Sequence, residues 1–280
     1  MNFLNLSSKK QDAAKAAAVL LPLVYSNASP EADRAAEKIF KASHLLSLWD
    51  AETGTDLSTL GLHSLEPLHL DGDPPVIVKQ IYQHCTPFFK RGQAVAAVGG
   101  SHMGALGLIR AAHEEQQVLS VLHLAACPHI HNNAPGEPGE ANCMAQVREK
   151  CTVAHVGIRN ISKAERDIIH PDNLVFARDI HTSGLNAITD ALDVLGEKIF
   201  LVIHLDVLDP AIMPAVARPE PGGLDWYTVN SLIRLAAREK IITGFSVTGM
   251  RPPLVGDLPG QLLAAKLVCK VLISILQKQS

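Results

Sequence analysis

Short apolar runs alternate with segments of helical periodicity along the whole chain. The runs typical of buried β-strands lie at 19–25, 64–70, 94–99, 118–125, 152–158, 174–177, 198–206 and 241–248. The segments predicted to be helices lie at 31–47, 74–91, 103–116, 182–195, 225–239 and 258–277. Because parallel strands need long crossovers, which helices supply, this order predicts an α/β fold. We expect a three-layer α/β/α sandwich with a mostly parallel sheet of about eight strands.

Two loops rich in proline and glycine each follow a predicted strand. They cover 132–140 (NNAPGEPGE) and 209–224 (DPAIMPAVARPEPGGL). In open parallel sheets the ligand crevice lies outside the carboxyl ends of the strands. We therefore expect the functional site to be built where these loops begin.

Length and charge limit the classes of function. A chain of 280 residues with 47% hydrophobic and 19% charged residues is an ordinary globular composition, and we expect a single domain covering 1–280. The net charge of -3 gives no basic footprint for nucleic acid. Apolar runs such as 17–25 and 199–205 are shorter than the roughly 20 residues that cross a bilayer. The expected partners are small molecules and other protein subunits.

The cysteines and the amino-terminal segment predict a cytoplasmic protein. The five cysteines are scattered without a C-x-x-C pair, which argues against a disulfide framework or a zinc ribbon. Residues 1–18 contain lysines and no apolar core of the signal-peptide type. Both features fit a reducing compartment.

Four segments, in order along the chain, together resemble the ureohydrolase family of arginases, agmatinases and formimidoylglutamases. They are VGGSHM at 98–103, LHLAACPH at 122–129, IHLDVLDP at 203–210 followed by PEPGGL at 219–224, and GFSVTGMRP at 244–252. A lone GGxH would be weak, but the ordered set is specific, and with VGIR at 156–159 the resemblance covers roughly 19–277. It implies an arginase-like fold and a homo-oligomer of three or six subunits.

The resemblance also shows which metal ligands have changed. In the family these segments supply one His, then Asp-His-Asp, then Asp-x-Asp to two manganese ions. The residues that stand at those six positions here are His102, Ala125, Cys127, His129, His204 and Asp206. Only His102 and Asp206 keep the family's residue type. With Asp206 as the single carboxylate against two divalent ions, we predict that the binuclear manganese centre is absent.

A softer donor set remains at the same strand ends. The candidate metal ligands are His102, His129, His204, Asp206 and Cys127. Imidazole and thiolate suit zinc better than manganese, so the sequence leaves two alternatives open: one zinc-like ion, or no metal at all. In the structural alternative, His102 is a relic of the family site and Cys127 is an inert buried thiol.

Family roles beyond metal binding also change in this chain. The His-Gly pair of the family's active-site loop corresponds to Asn142 and Cys143, and the guanidinium-binding glutamate falls near Gly249. Arg218 is a candidate ligand-binding residue that brings positive charge towards the site, and the segment 26–31 is shorter than the family's first substrate loop. These differences predict the loss of amidinohydrolase chemistry.

Nearby residues have structural interpretations. We expect His123 to lie in the core on the other face of its strand, and His131 on the loop surface. Asn142 is interpreted as a loop hydrogen-bonding residue, and Asp209 as part of the LDP turn.

Two functional hypotheses follow. The first is a catalytically inactive ureohydrolase homologue with a binding or regulatory role, which can include assembly with an active relative. The second is a hydrolase that uses one zinc-type ion to cleave a C–N bond outside a guanidine. The resemblance does not identify the small-molecule ligand under either hypothesis.

Overall fold

A parallel sheet occupies the centre of the molecule. The computed structural model describes residues 1–6, 13–25, 34–118, 120–131, 139, 141–251 and 257–277. In these ranges the strands of the sheet are β1 (Ala18–Tyr25), β4 (Leu62–Ser64), β5 (Leu68–Leu70), β6 (Ala94–Val98), β7 (Ser120–Leu124), β8 (Thr152–Ile158), β9 (Leu174–Phe176), β10 (Lys198–His204) and β11 (Ile241–Thr248). Their order is β4–β1–β6–β11–β10–β7–β8–β9, with β5 beside β1, and every pairing is parallel. A separate antiparallel ribbon joins β2 (Trp49–Asp50) to β3 (Thr55–Asp56).

Helices cover both faces of this sheet. They are α1 (Ala35–Ser43), α2 (Pro74–Lys90), α3 (Met103–Gln116), α4 (Cys143–Arg148), α5 (Lys163–Asp167), α6 (Ala177–Ser183), α7 (Thr189–Asp193), α8 (Trp226–Glu239) and α9 (Leu258–Leu276). Along β6, Ala94, Ala96 and Val98 pack with α1, α8 and α9, whereas Val95 and Ala97 pack with α2 and α3. Alternate strand residues thus belong to two apolar cores, one on each side of the sheet. The predicted three-layer α/β/α fold is confirmed.

Three predicted elements are divided or shortened in the structure. The strand expected at 64–70 is the pair β4 and β5, which bind successive parts of β1 on either side of 65–67. Pro67 in this break has no amide hydrogen to donate to a ladder. The helix expected at 182–195 is present as α7 alone, after a 3₁₀ turn over Gly184–Ile188. The preceding helix, α6, lies mostly before the predicted range and ends at Gly184, which has a φ of +62°. The helix expected at 31–47 contracts to α1, and 31–33 lie outside the described residues.

The last helix, α9, is long and apolar enough to cross a bilayer by length and composition alone. In this fold it is a core helix, since it packs on α1 and α8 and most of its apolar side chains are buried. Its buried Lys270 donates to both carboxylate oxygens of Asp50, at 3.0 and 2.7 Å.

The four central strands bring the changed motifs together. β6, β11, β10 and β7 are consecutive neighbours, so the segments after them meet at one edge of the sheet. The backbone links these segments: Gly99 N donates to Val247 O at 3.2 Å, and Gly249 N donates to Gly100 O at 3.1 Å. Parallel topology thus places the site at the carboxyl edge of the sheet, as the sequence predicts.

Candidate functional site

Among the described residues, a group of histidines converges at this edge of the sheet. His102 follows β6, His123 lies in β7 and His129 follows it, while His155 lies in β8 and His204 ends β10. Neighbouring rings have centroids 4.4 to 5.5 Å apart, and His102 and His129 are the closest pair. None of these five residues is more than 8% exposed. The cluster is therefore an internal imidazole network and not a surface feature.

The inner part of the cluster is formed by His102, His123 and His129. One ring nitrogen from each lies within 4.8 Å of the others. His102 Nδ1 is 3.0 Å from Thr248 Oγ1 in β11, and His123 Nδ1 is 3.0 Å from His155 Nδ1 in β8. These contacts fix the orientation of both rings.

The outer part is formed by Cys127, His129 and Asp206, whose donor atoms also lie within 4.8 Å of one another. Cys127 Sγ is 3.5 Å from His129 Nε2, and Cys127 is the partly exposed member of this group. Asp206 Oδ1 accepts from Ala126 N at 2.9 Å and lies 2.7 Å from His204 Nδ1. His129 belongs to both parts and connects them.

Burial sets the protonation states in the cluster. It lowers the pKa of His129 to about 3, with the neighbouring His204 adding to the effect, and it lowers the pKa of His155 to about 3. Burial and the neighbouring histidines hold the pKa of His123 well below its usual value. Burial, assisted by Asp206, raises the pKa of the Cys127 thiol to about 12. At neutral pH these imidazoles are uncharged nitrogen donors, and Cys127 is a thiol.

Asp206 supplies the negative charge of the site. Burial alone would raise the pKa of its carboxyl, but the charge and hydrogen bond of His204 outweigh burial and lower that pKa. The carboxylate of Asp206 therefore stays ionised at neutral pH.

Comparison with known proteins identifies the fold and the family together. The sequence model of the arginase family matches residues 15–274.

The chain belongs to the arginase family.

Relatives support this assignment over nearly the whole chain. The N(1)-aminopropylagmatine ureohydrolase of a Synechocystis species is 28% identical over 274 residues, which cover 92% of this chain and 89% of that protein. The crystal structure of agmatine ureohydrolase of Thermoplasma volcanium is similar with a TM-score of 0.84 at 21% identity, covering 98% of this chain and 95% of that one. A putative agmatinase from Clostridium difficile has a TM-score of 0.86 at 19% identity, covering 96% and 100%. These two structures share the fold.

Proteins of the arginase family are normally manganese-dependent, and the donor set here does not fit two manganese ions. Manganese prefers carboxylate, carbonyl and water oxygens. At the six positions that the resemblance assigns to metal ligands, Asp206 is the single carboxylate, and Ala125 is fully buried with a methyl side chain. Uncharged imidazoles dominate the rest of the site.

The expected position of the family's guanidinium-binding glutamate is filled by another side chain. Gly249 has a φ of +88°, and a Cβ built on it would lie 2.4 Å from His204 Nε2. Any side chain at 249 would overlap the imidazole of His204. A side chain at 249 and the imidazole of His204 thus compete for the same volume.

The remaining predicted residues fall in and around this edge. Asn142 is buried, and its Oδ1 accepts from Gly139 N at 2.6 Å, which supports its interpretation as a loop residue. Asp209 accepts from Gly222 N and Gly223 N at 3.0 and 2.9 Å, so its role in the turn is confirmed. Arg218 is exposed, and it is close enough for its positive charge to make a small contribution to the pKa values of His129 and Cys127, in which burial dominates.

One residue and one segment bear on the remaining predictions. His131 is exposed, as predicted. The segment 26–31 lies outside the described residues, so its comparison with the family loop stays a prediction.

Sequence reasoning missed His123 and His155. The prediction that His123 faces away from the site was wrong, because residues 123 and 125 are two apart and point to the same face of a strand. His155 joins the cluster because the parallel register of β7 and β8 pairs it with His123. The parity of β7 was available in the sequence, whereas the register with β8 was not.

Proposed function

We propose that this arginase-family protein does not hydrolyse guanidines through two manganese ions and acts as a ligand-binding or regulatory protein. The observation that carries the proposal is the imidazole of His204 in the space beside Gly249. A carboxylate that holds a guanidinium has no room there. The donor set around Asp206 supports the same conclusion, because it offers little negative charge to a metal pair.

The loss of the metal pair and the loss of the guanidinium-binding carboxylate differ in how much each lowers the rate of hydrolysis. Water bound to a catalytic metal has a pKa near ~7 instead of 15.7, so losing the metal removes about eight to nine decades of acidity from the nucleophile. A charge-assisted hydrogen bond to the guanidinium contributes about 1.5–3 kcal/mol, or roughly one to two decades. Loss of the manganese pair is therefore the larger defect, and the change at Gly249 adds to it.

Arg218 bears on the kind of ligand that the site accepts. The Synechocystis relative is named for N(1)-aminopropylagmatine, which is an extended polycation. An exposed guanidinium near His129 and Cys127 opposes the approach of such a cation. We propose that Arg218 contacts the ligand and favours a neutral or anionic molecule.

The test of the first proposal is turnover by the purified full-length chain. Agmatine, N(1)-aminopropylagmatine and arginine are each supplied with manganese, and urea release is measured against a metal-only blank. The Synechocystis relative serves as the positive control. We expect no urea above the blank, and robust turnover of any of these compounds would overturn the proposal.

A second candidate is a hydrolase with one zinc-type ion that acts on a C–N bond outside a guanidine. It is favoured by the partial exposure of Cys127 beside His129 and Asp206, since a catalytic site needs an accessible position. The residues that would hold the ion are His102, His129, His204, Asp206 and Cys127. Such an ion would supply a polarised water.

This second candidate has its own assay. The zinc-loaded chain is incubated with a panel of amides, ureas and formimino compounds, and ammonia release is measured. Release that disappears in Asp206→Asn but persists in His131→Asn, a variant of an exposed histidine, would support a hydrolase. A zinc-loaded chain that is inert on the whole panel would remove this candidate.

Assembly and location are proposed on separate grounds. We propose a homo-oligomer of three or six subunits, which can also include an active relative, and this follows from the family resemblance alone. A monomeric mass in solution would contradict it. A cytoplasmic location is supported by the cysteines, all five of which lie among the described residues and are present as thiols.

A further inference from the structure

We propose that His102, His123 and His129 form a binding site for one divalent cation of the zinc class, with His155 as the residue that orients His123. We call this trio the inner imidazole site. It differs from the manganese positions of the family because His123 lies two residues before the first ligand position of the β7 motif. The inference goes beyond the first proposed function, which requires no metal. It also differs from the zinc-type hydrolase, because His123 takes part in the ligand set and His204 and Cys127 do not.

The geometry of the trio is close to that of a loaded site. Zinc–nitrogen bonds of about 2.0–2.1 Å in a tetrahedral site place the ligand nitrogens roughly 3.4 Å apart. Here the three donor nitrogens lie within 4.8 Å of one another. Loading requires each pair to approach by at most about 1.4 Å, which small rotations of neutral rings can supply.

The far side of the rings has the partners expected of metal ligands. A ligating imidazole usually uses its second nitrogen to contact an orienting group. His102 Nδ1 contacts Thr248 Oγ1, and His123 Nδ1 contacts His155 Nδ1, both at 3.0 Å. In His102 and His123, Nε2 is then the nitrogen that would bind the cation.

His123 provides an independent sign of a ligand. It is completely buried, and its Nε2 has no hydrogen-bond partner among the described residues. A buried polar atom without a partner destabilises the folded chain, and native proteins generally satisfy such atoms. A cation coordinated by Nε2 would remove this cost, whereas an apolar residue at 123 would have avoided it from the start.

The chemistry of the trio selects the class of cation. Neutral imidazole is a preferred ligand of zinc, copper, nickel and iron, whereas manganese, magnesium and calcium favour oxygen donors. The carboxylate of Asp206 lies beside His129 and partly balances the charge of the cation.

The experiment measures zinc binding by the full chain after dialysis against a chelator. Affinity is determined by competition with a chromophoric chelator, and cobalt replaces zinc for absorption spectroscopy. The variants are His123→Asn in the trio, His155→Asn behind it, and His131→Asn as an exposed control that follows the same strand. Cys127→Ser reports on the outer part of the cluster.

The expected results separate the two parts of the cluster. We expect the parent to bind about one zinc per chain. The cobalt-substituted parent should show the absorption spectrum of an ion with a low coordination number. His123→Asn weakens binding by at least about 100-fold, and His155→Asn by about 10- to 100-fold, the usual effect of losing an orienting partner. His131→Asn and Cys127→Ser bind as the parent does. Unchanged affinity in His123→Asn, loss confined to Cys127→Ser, or a folded parent that binds no zinc would each overturn the proposal.

A measurement on the parent chain covers the case in which His123→Asn does not fold. X-ray absorption at the zinc edge distinguishes nitrogen ligands at about 2.0–2.1 Å from sulfur at about 2.3 Å. A nitrogen shell without sulfur supports the inner imidazole site, and a sulfur contribution overturns it. Urea release is measured separately, so failure of this proposal and failure of the proposed function are distinct results.

Discussion

Gly249 and His204 occupy one shared volume, which makes the pair a sensitive test of the site. Gly249→Ala should destabilise the chain by about 2–4 kcal/mol, because overpacking adds to the strain of a positive φ. In a His204→Ala background the overlap is gone, so the same change should cost about 0.5–3 kcal/mol less. Denaturant unfolding of the parent, both single variants and the double variant measures this coupling.

Gly92→Ala is a matched control for this double-mutant cycle of Gly249 and His204. Gly92 has a φ of +73°, and a Cβ there would meet no atom within 4 Å. It should therefore show only the positive-φ cost of about 1–2 kcal/mol, with no dependence on His204. Equal costs at 92 and 249 would show that His204 does not restrict position 249.

Some residues of the site can be predicted from the sequence, and others cannot. His102, His204 and Asp206 were predicted because each stands in an ordered motif after an apolar strand. His123 required the parity of a strand to be applied correctly, and His155 required the register between β7 and β8. The register between two strands depends on how segments that are distant in the sequence pack together. It therefore cannot be inferred from a single sequence.

At the scale of elements, the alternation of strands and helices predicted the three layers of the fold. The predicted elements were wrong where a proline or glycine changed the local backbone. Pro67 separates β4 from β5, and Gly184 ends α6. Each position was visible in the sequence as a possible break. Their effect depended on tertiary packing, which determines whether an element continues through such a residue.

Arg159 follows β8 and links it to the segment after β10 and to the loop 209–224. It provides a prediction at the scale of elements. Its guanidinium donates to Asp206 O and Glu220 O, both at 2.7 Å, and to Pro221 O at 3.1 Å. Lysine lacks the planar fork that reaches several carbonyls, so Arg159→Lys should lower stability by about 2 kcal/mol. Limited proteolysis should then cut 209–224 faster. Arg178→Lys, a change at an exposed arginine, should leave the cleavage rate unchanged.

The ribbon of β2 and β3 is fastened to α9 by buried charges. Burial would raise the pKa of Asp50, but hydrogen bonds from Lys270 and Lys266 lower it further than burial raises it. A carboxyl whose folded pKa is depressed stabilises the fold above its unfolded pKa of about 3.9 and loses this contribution as pH falls towards the folded pKa. The parent should therefore lose stability below about pH 4.

Asp50→Asn tests this linkage. The variant should flatten the stability profile below about pH 4 and lower stability at neutral pH by up to about 3–5 kcal/mol, because Lys270 keeps only Glu52 as a carboxylate partner. Glu37→Gln removes an exposed pair with Lys41 and should cost less than about 0.5 kcal/mol. Thermal unfolding from pH 2 to pH 7 gives both results. An unchanged acid slope in Asp50→Asn would show that other carboxyls control acid unfolding.

At the scale of the whole molecule, the fold is independent of the chemistry that its edge supports. Two apolar cores on opposite faces of the sheet provide the packing, and the site lies at the end of the strands. A relative 28% identical over 92% of the chain carries the name of an enzyme. The resemblance assigns four of the six ligand positions here to residues of another type, which predicts that the sheet tolerates large changes of charge at its carboxyl edge.

This tolerance predicts that the manganese centre can be rebuilt on the existing sheet. Changing Ala125, Cys127, His129 and His204 to Asp, His, Asp and Asp gives, with Asp206, four carboxylates against the +4 of two manganese ions. His129 has a φ of +51°, a conformation that aspartate adopts more readily than most residues, so the backbone should accept the change.

The variant with all four substitutions should bind about two manganese ions per chain, and a matched variant that keeps Ala125 should bind the second ion more weakly. Urea release from agmatine should stay very low, because Gly249 still provides no carboxylate for the guanidinium. Elemental analysis measures the manganese, and circular dichroism confirms that each variant keeps the parent fold. A folded variant that takes up no manganese would show that these positions do not stand in the ligand register of the family, and the proposed loss of amidinohydrolase chemistry would lose its main support.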